Sequence, residues 1–208
     1  MDSFSLLLFL TISIAIIHSF APDHWLPFVM IGNAQNWSRK KMFLYVSVAA
    51  IGHVGSSIAL GGVGITLGFA SEILQGLEST RGQIGLYLLI GFGIAYALWG
   101  IKHAHHHHHH TVDLENKKIV TLWMLFAIFV LGPCEPLIPL MFLGSSFGWS
   151  GIAVISLVFG IITLAMMLLQ SFLGYAGIQL ISHKFAEKYS HAFAGLVITL
   201  TGVFLLLV

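Results

Sequence analysis

His18-Ser19-Phe20-Ala21-Pro22-Asp23-His24-Trp25-Leu26-Pro27 lies within one apolar stretch, and Gly132-Pro133-Cys134-Glu135-Pro136-Leu137-Ile138-Pro139 lies within another about 112 residues later. All five prolines of the chain fall in these two runs. In each run a proline follows the acid by four positions, Asp23 to Pro27 and Glu135 to Pro139, so its ring removes the backbone donor that would bond the acid's own carbonyl. Pro22 frees the carbonyl of His18 in the same way, and Pro133 and Pro136 free those of Phe129 and Gly132. Opened backbone inside hydrocarbon needs partners, and matching interrupted helices in two halves are the sequence pointer to a transporter's binding site. Prolines that kink membrane helices for packing alone are the competing reading. Their confinement to two equivalent places weighs against it.

The rest of the chain supplies the bilayer. Of its 208 residues, 57% are apolar and only 8% charged, whereas a soluble domain is about a quarter charged. Apolar stretches fall at about 4–33, 43–70, 82–101, 119–147, 150–182 and 190–208, each able to supply the ~20 residues of a membrane span. The expectation is an all-α polytopic membrane protein of about six transmembrane helices, arranged as two inverted three-helix repeats with proline-broken helices 1 and 4. It forms a single membrane domain over 1–208: repeat one at 1–101, a His-rich loop at 102–118 and repeat two at 119–208. The first apolar stretch has no basic residue before it and runs straight into His18 and Asp23, so it is expected to remain as a helix.

Arg39, Lys40, Lys41, Lys102, Lys117, Lys118, Lys184 and Lys188 flank spans on one side, and only Arg81, beside Glu72 and Glu78, falls in a loop on the other. The positive-inside rule then places both termini outside and the odd-numbered loops in the cytoplasm, with the cytoplasmic (inner) membrane as location. Trp37, Trp99 and Trp149 near span ends fit interfacial anchors; Trp25 and Trp123 fit that role less well. A net charge of +1 offers no field for nucleic acid. With one cysteine, Cys134, no disulfide can close within the chain.

His18, Asp23, His24 and His53 are the ionisable residues embedded in the first half, with Cys134 and Glu135 in the second. A charge at the bilayer centre costs ~2.5–3.5 kcal/mol even on a lenient scale, so such a set is read as functional. On an unbroken helix His18 and His24 stand about 240° apart and cannot grip one ion, an objection that a break at Pro22 removes. Imidazole mixed with carboxylate suits a borderline divalent transition metal better than calcium or magnesium. Cys134 reads equally as a soft ligand or a small buried apolar residue. His53 reads as a ligand or, less well, as structural glue for a freed carbonyl. In the counterpart of the His53 region, Met166, Met167 and Gln170 read first as packing and second as an exit path.

The spacing His18-x-x-x-x-Asp23-His24 matches the His-x-x-x-x-Asp-His of the nickel/cobalt transporter family, and the chain resembles the shorter NicO and urease-accessory-type members within the LysE-like superfamily. Gly52-His53-Val54 resembles the histidine contributed by that family's second helix. The resemblance implies a secondary permease for nickel or cobalt, with zinc as a lesser candidate, in which His18, Asp23, His24 and His53 hold the ion as substrate and no organic cofactor takes part. A metallochaperone or nickel-enzyme maturation protein is an implied partner, and the glycine-rich faces suit a homodimer. Gly132-Pro133-Cys134 is similar to the proline-cysteine element of the CcdA and DsbD electron carriers. Asp23 and His24 stand where those proteins place their first cysteine, so the partner sulfur is missing.

Lys102-His103-Ala104 and the run His105, His106, His107, His108, His109, His110 form an auxiliary metal-binding tract, expected to face the cytoplasm and to concentrate metal near the pore mouth. An engineered tag is the weaker reading, because the run is internal and follows His103. His183 and His191 read as solvated interfacial residues. No Walker-type run supports ATP coupling within the chain, and no His-Glu-x-x-His run supports a hydrolase. A CcdA-like electron carrier and a metal-dependent intramembrane enzyme using Glu135 as base are the alternatives to the transporter.

Overall fold

The computed structural model describes residues 2–105, 114–132, 134–180 and 189–207, and these contain helices and no strand. The first apolar stretch is not one helix. Asp2 caps α1 (Ser3–Ser19) by accepting the Ser5 N–H; a single 3-10 turn at Pro22–His24 follows, and α2 (Leu26–Ala34) leaves at 75° to α1. Pro22 opens the turn and Pro27 lies in the first turn of α2, where its missing donor costs nothing. Ser38 then caps α3 (Arg39–Thr66), accepting the Lys41 N–H. A turn through Gly68, whose φ of +72° suits only glycine well, leads to α4 (Ser71–His105). The second broken segment comprises α5 (Leu114–Leu131) and α6 (Leu137–Ser145), followed by α7 (Gly148–Leu180) and α8 (Ser190–Leu207).

Four helices, α3, α4, α7 and α8, are long and apolar enough to cross a membrane, and α1 with α2 makes a fifth if the bent pair is one span. The remaining broken segment, represented by the apolar helix at 121–131, is too short by itself. Large apolar side chains such as Ile51, Leu98, Ile161 and Leu200 face outward. So wide an apolar exterior needs lipid rather than water around it.

One expected boundary is corrected. The third span was expected from residue 82, but α4 begins at Ser71, so Glu72, Glu78 and Arg81 lie on the helix and not in a connecting loop. Glu78 is buried with three donors around it, Arg81 from its own helix and Ser57 and the Cys134 N–H from elsewhere in the fold. Trp37 is likewise buried rather than anchored at an interface, donating its indole N–H to Gln35 Oε1. Trp123 and Trp149 are exposed.

The most extensive pairing is α4 with α8; α1 packs on α7 and α3 on α5, α2 on both α7 and α8, α6 on both α3 and α4, and α3 on α7. Small residues set the α4–α8 spacing: a Cβ on Gly93 would stand 2.6 Å from the Thr199 backbone nitrogen, and one on Gly195 would stand 2.5 Å from the Gly93 carbonyl oxygen. Two buried apolar clusters form, one holding Phe28, Ala50 and Phe129 and the other Ala15, Val54, Cys134 and Phe159.

Candidate metal centre

Ending α1 at Ser19 folds the chain back on itself, and the consequence is measured at the histidines. His18 Nε2 and His24 Nε2 are 3.1 Å apart, and the two rings meet edge to face with centroids 4.5 Å apart. From α3, the His53 ring joins them at 6.0 Å from His18 and 5.0 Å from His24. From the second half, Cys134 Sγ approaches His18 Nε2 to 3.8 Å. Ligand atoms of His18, His53 and Cys134 all lie within 4.8 Å of one another. Around a tetrahedral ion with metal–nitrogen bonds of ~2.0–2.1 Å and a metal–sulfur bond of ~2.3 Å, nitrogens stand about 3.4 Å apart and sulfur about 3.6 Å from nitrogen. The His18–His24 and His18–Cys134 spacings lie within a few tenths of an ångström of that shell.

The other nitrogen of two rings is already committed. His24 Nδ1 lies 2.9 Å from Asp23 Oδ1, so a carboxylate at Asp23 accepts the Nδ1–H hydrogen bond and turns Nε2 towards His18. His53 Nδ1 lies 3.1 Å from the Phe129 carbonyl oxygen. A carbonyl can only accept, so Nδ1 carries the proton and Nε2 of the neutral ring carries a lone pair. That Nε2 is buried and has no hydrogen-bond partner. An acceptor lone pair without a donor, beside two more imidazoles and a thiol, is what a cation would satisfy. Metal-binding histidines characteristically donate their second N–H to a carboxylate or a backbone carbonyl, as these two do.

The freed carbonyls of the second break explain the rest of the site. Phe129 C=O is held by His53 and by the Gly132 N–H at 3.2 Å. Gly132 C=O accepts from Arg81 Nη2 at 3.3 Å. Arg81 also reaches Ser57 Oγ at 2.6 Å and Glu78 Oε1 at 2.5 Å. The same Glu78 oxygen accepts the Ser57 hydroxyl and, at 2.9 Å, the Cys134 backbone N–H. Glu78 and Arg81 thus fasten the chain on either side of position 133 and fix where the Cys134 thiol stands. Pro133 itself lies outside the described residues.

Of the residues singled out in the sequence, His18, His24, His53 and Cys134 come together, and Asp23 reaches the group through His24. Glu135 does not join it. Cys134 C=O accepts the Leu137 N–H in a tight turn that points Cys134 inward at full burial and leaves Glu135 exposed. The buried acid beside the second break is Glu78, on α4. An acid and a base three residues apart, at helical spacing, was the available signal, and the expected loop at 71–81 concealed it. His103 is exposed near the end of α4, stacked on Trp99 and facing His191 with ring centroids 6.2 Å apart. His191, expected to be solvated, is partly buried and bonded to the Tyr96 hydroxyl at 2.8 Å. His106 to His110 and His183 lie outside the described residues, as does the side chain of His105.

A recess lined by Asp23, His24, His53, Gly85, Phe129 and Gly132, among others, reaches the cluster between α4 and α5. Gly85 permits this approach, since a Cβ there would stand 3.1 Å from the Leu131 carbonyl oxygen. Comparison with protein-family models, characterised proteins and solved structures finds no match.

Proposed function

We propose that this chain is a secondary transporter of a divalent transition-metal ion, with nickel or cobalt as the first candidates and zinc the next. The carrying observation is His53: its Nδ1 is occupied by a backbone carbonyl, and its Nε2 is buried without a partner among His18, His24 and Cys134. The ion is cargo, held by imidazole nitrogens and a thiolate at two helix breaks. Breaks at a central site allow ligands to be gathered or released by small rotations of short half-helices. Ligation requires neutral imidazole and ionised thiol, so protons compete with metal at the same atoms and a proton gradient can drive release.

Two inverted repeats, α1 to α4 and α5 to α8, are part of this proposal. Exchanging the halves turns α1–α7 into α5–α3, α2–α7 into α6–α3, and α2–α8 into α6–α4, and each of these pairs packs together. That exchange supports the repeat reading. The charge distribution supports external termini and a cytoplasmic His-rich loop that gathers metal at the inner face.

The test is metal uptake by proteoliposomes containing the purified chain, comparing nickel, cobalt, zinc and manganese. Flux of one of the first three that is lost in His24→Ala and retained when His105 to His110 are deleted supports a central selective site. Absence of flux under every ion and proton gradient would refute the transporter.

A further inference from the structure

The interior face of α7 carries polar atoms that nothing else in the described protein satisfies. Ser156 Oγ, Thr163 Oγ1 and both amide atoms of Gln170 are buried and have no hydrogen-bond partner. These three residues recur every seven positions. At 100° per residue a step of seven returns to within about 20° of the same direction, so they form a line along one edge of the helix. With a rise of ~1.5 Å per residue the line covers about 21 Å, much of the ~30 Å hydrocarbon thickness. Ser171 Oγ, next to Gln170, is also buried and unpartnered.

Elsewhere in this chain, hydroxyls follow another rule. Thr11, Ser19, Thr199 and Thr201 turn back to the carbonyl four residues earlier, at 2.7–2.9 Å. That local bond is the ordinary way for a hydroxyl to be satisfied on an apolar helix. Ser156, Thr163 and Ser171 forgo it, and Gln170 cannot make it with both of its amide atoms. Buried polar groups left this way are destabilising unless water or an ion completes them.

The line also passes the metal centre. Phe159, between Ser156 and Thr163 on the same face, has its ring 5.9 Å from that of His18. One turn beyond Gln170, a Cβ on Gly174 would stand 3.2 Å from the Trp25 ring, and Trp25 is the neighbour of His24. The Trp25 indole N–H is buried and unpartnered as well. Ser156 and Thr163 therefore bracket the level of His18, with Gln170 and Trp25 continuing to one side.

We infer that this edge of α7 is the path by which a partly hydrated divalent cation approaches and leaves the central cluster, with Ser156, Thr163 and Gln170 as its lining. This rests on the transporter reading and adds the route. Neutral hydroxyl and amide oxygens replace hydration water without holding the ion tightly, which passage through a pore requires. Water occupies the line when no cation does.

Two measurements test the route. In a Cys134→Ala background, single cysteines at Ser156, Thr163 and Gln170 are treated in membranes with a small, charged, membrane-impermeant methanethiosulfonate, with Leu157→Cys and Ile161→Cys as controls on the 63% exposed, outward side of α7. The expected result is modification at least about tenfold faster at the three lining positions, because only there does water reach and ionise the thiol. In otherwise unaltered protein, Ser156→Ala, Thr163→Val and Gln170→Met are expected to lower cobalt uptake about tenfold while leaving cobalt affinity in detergent within about twofold, a loss of passage without loss of binding. Lining cysteines as unreactive as the controls, or uptake unchanged in all three variants, would overturn the route. If the unaltered protein carries no metal, the transporter reading fails, and fast modification would then show a wet α7 serving another permeant.

Discussion

Asp23 separates two arrangements of the centre, one in which it binds the ion and one in which it holds His24. The structure supports the second: Asp23 Oδ1 meets His24 Nδ1 at 2.9 Å, which leaves His24 Nε2 facing His18 Nε2 at 3.1 Å. Removing a carboxylate that orients a metal-binding histidine typically weakens metal affinity 10–100-fold, or about 1.4–2.8 kcal/mol. Asp23→Ala is expected at the upper end of that range, since Nδ1 loses its acceptor and the ring its preferred tautomer. Asp23→Asn keeps an acceptor oxygen without the charge and should fall near the lower end. Direct titration of the detergent-purified protein with cobalt, followed by the absorption of the bound ion, measures both. His24→Ala sets the scale for loss of a ligand. If Asp23→Ala weakens binding as much as His24→Ala and Asp23→Asn rescues none of it, Asp23 is a ligand and this reasoning is wrong; if neither Asp23 variant changes affinity, the carboxylate plays no part in the centre.

Two further outcomes follow from the packing. Glu78 and Arg81 have side chains only 1% and 16% exposed, so Glu78→Ala strands a cation and should cost about 3–5 kcal/mol in thermal unfolding, whereas Glu78→Ala/Arg81→Ala should cost less than the single change; equal or additive losses would count against a buried pair. Gly195→Leu drives a side chain into the α4 backbone at Gly93 and Ala97 and should destabilise by about 1–3 kcal/mol through overpacking, visible as a lowered unfolding midpoint, while the same change at Gly177, which has open space beside it, should be nearly neutral.

How much of this was legible in the chain depends on the range of the interaction. Pro22 and Pro27 act on their own neighbours, so the break that folds His24 back towards His18 could be read without a structure. The same arithmetic assigned a free carbonyl to Phe129 and another to Gly132, and each carries a side-chain donor, from His53 and Arg81. Which donor would come was beyond the arithmetic, because His53 is 76 residues from Phe129 and Arg81 is 51 from Gly132. Treating Glu135 as the equivalent of Asp23 failed for a related reason. Symmetry of spacing places two acids at like positions in two runs, but the turn after Cys134 decides which side chain faces in. Polarity alone also misplaced Glu78 and Arg81, since charged residues flanking an apolar stretch look like a loop until their partners are known.

By itself the sequence determined that the chain belongs with lipid, that its helices are interrupted in two places, and that imidazoles gather at one of them. Composition and proline chemistry are local and additive, and they survive without knowledge of what packs on what. Tertiary structure alone decided that Cys134 completes the histidine group, that Asp23 works through His24, that Glu78 and Arg81 fasten the second break, and that α7 turns a line of unsatisfied polar atoms inward. Each of these depends on which helix faces which. That choice is made by the whole pattern of small and large residues at the α4–α8, α1–α7 and α3–α5 contacts rather than by any single segment.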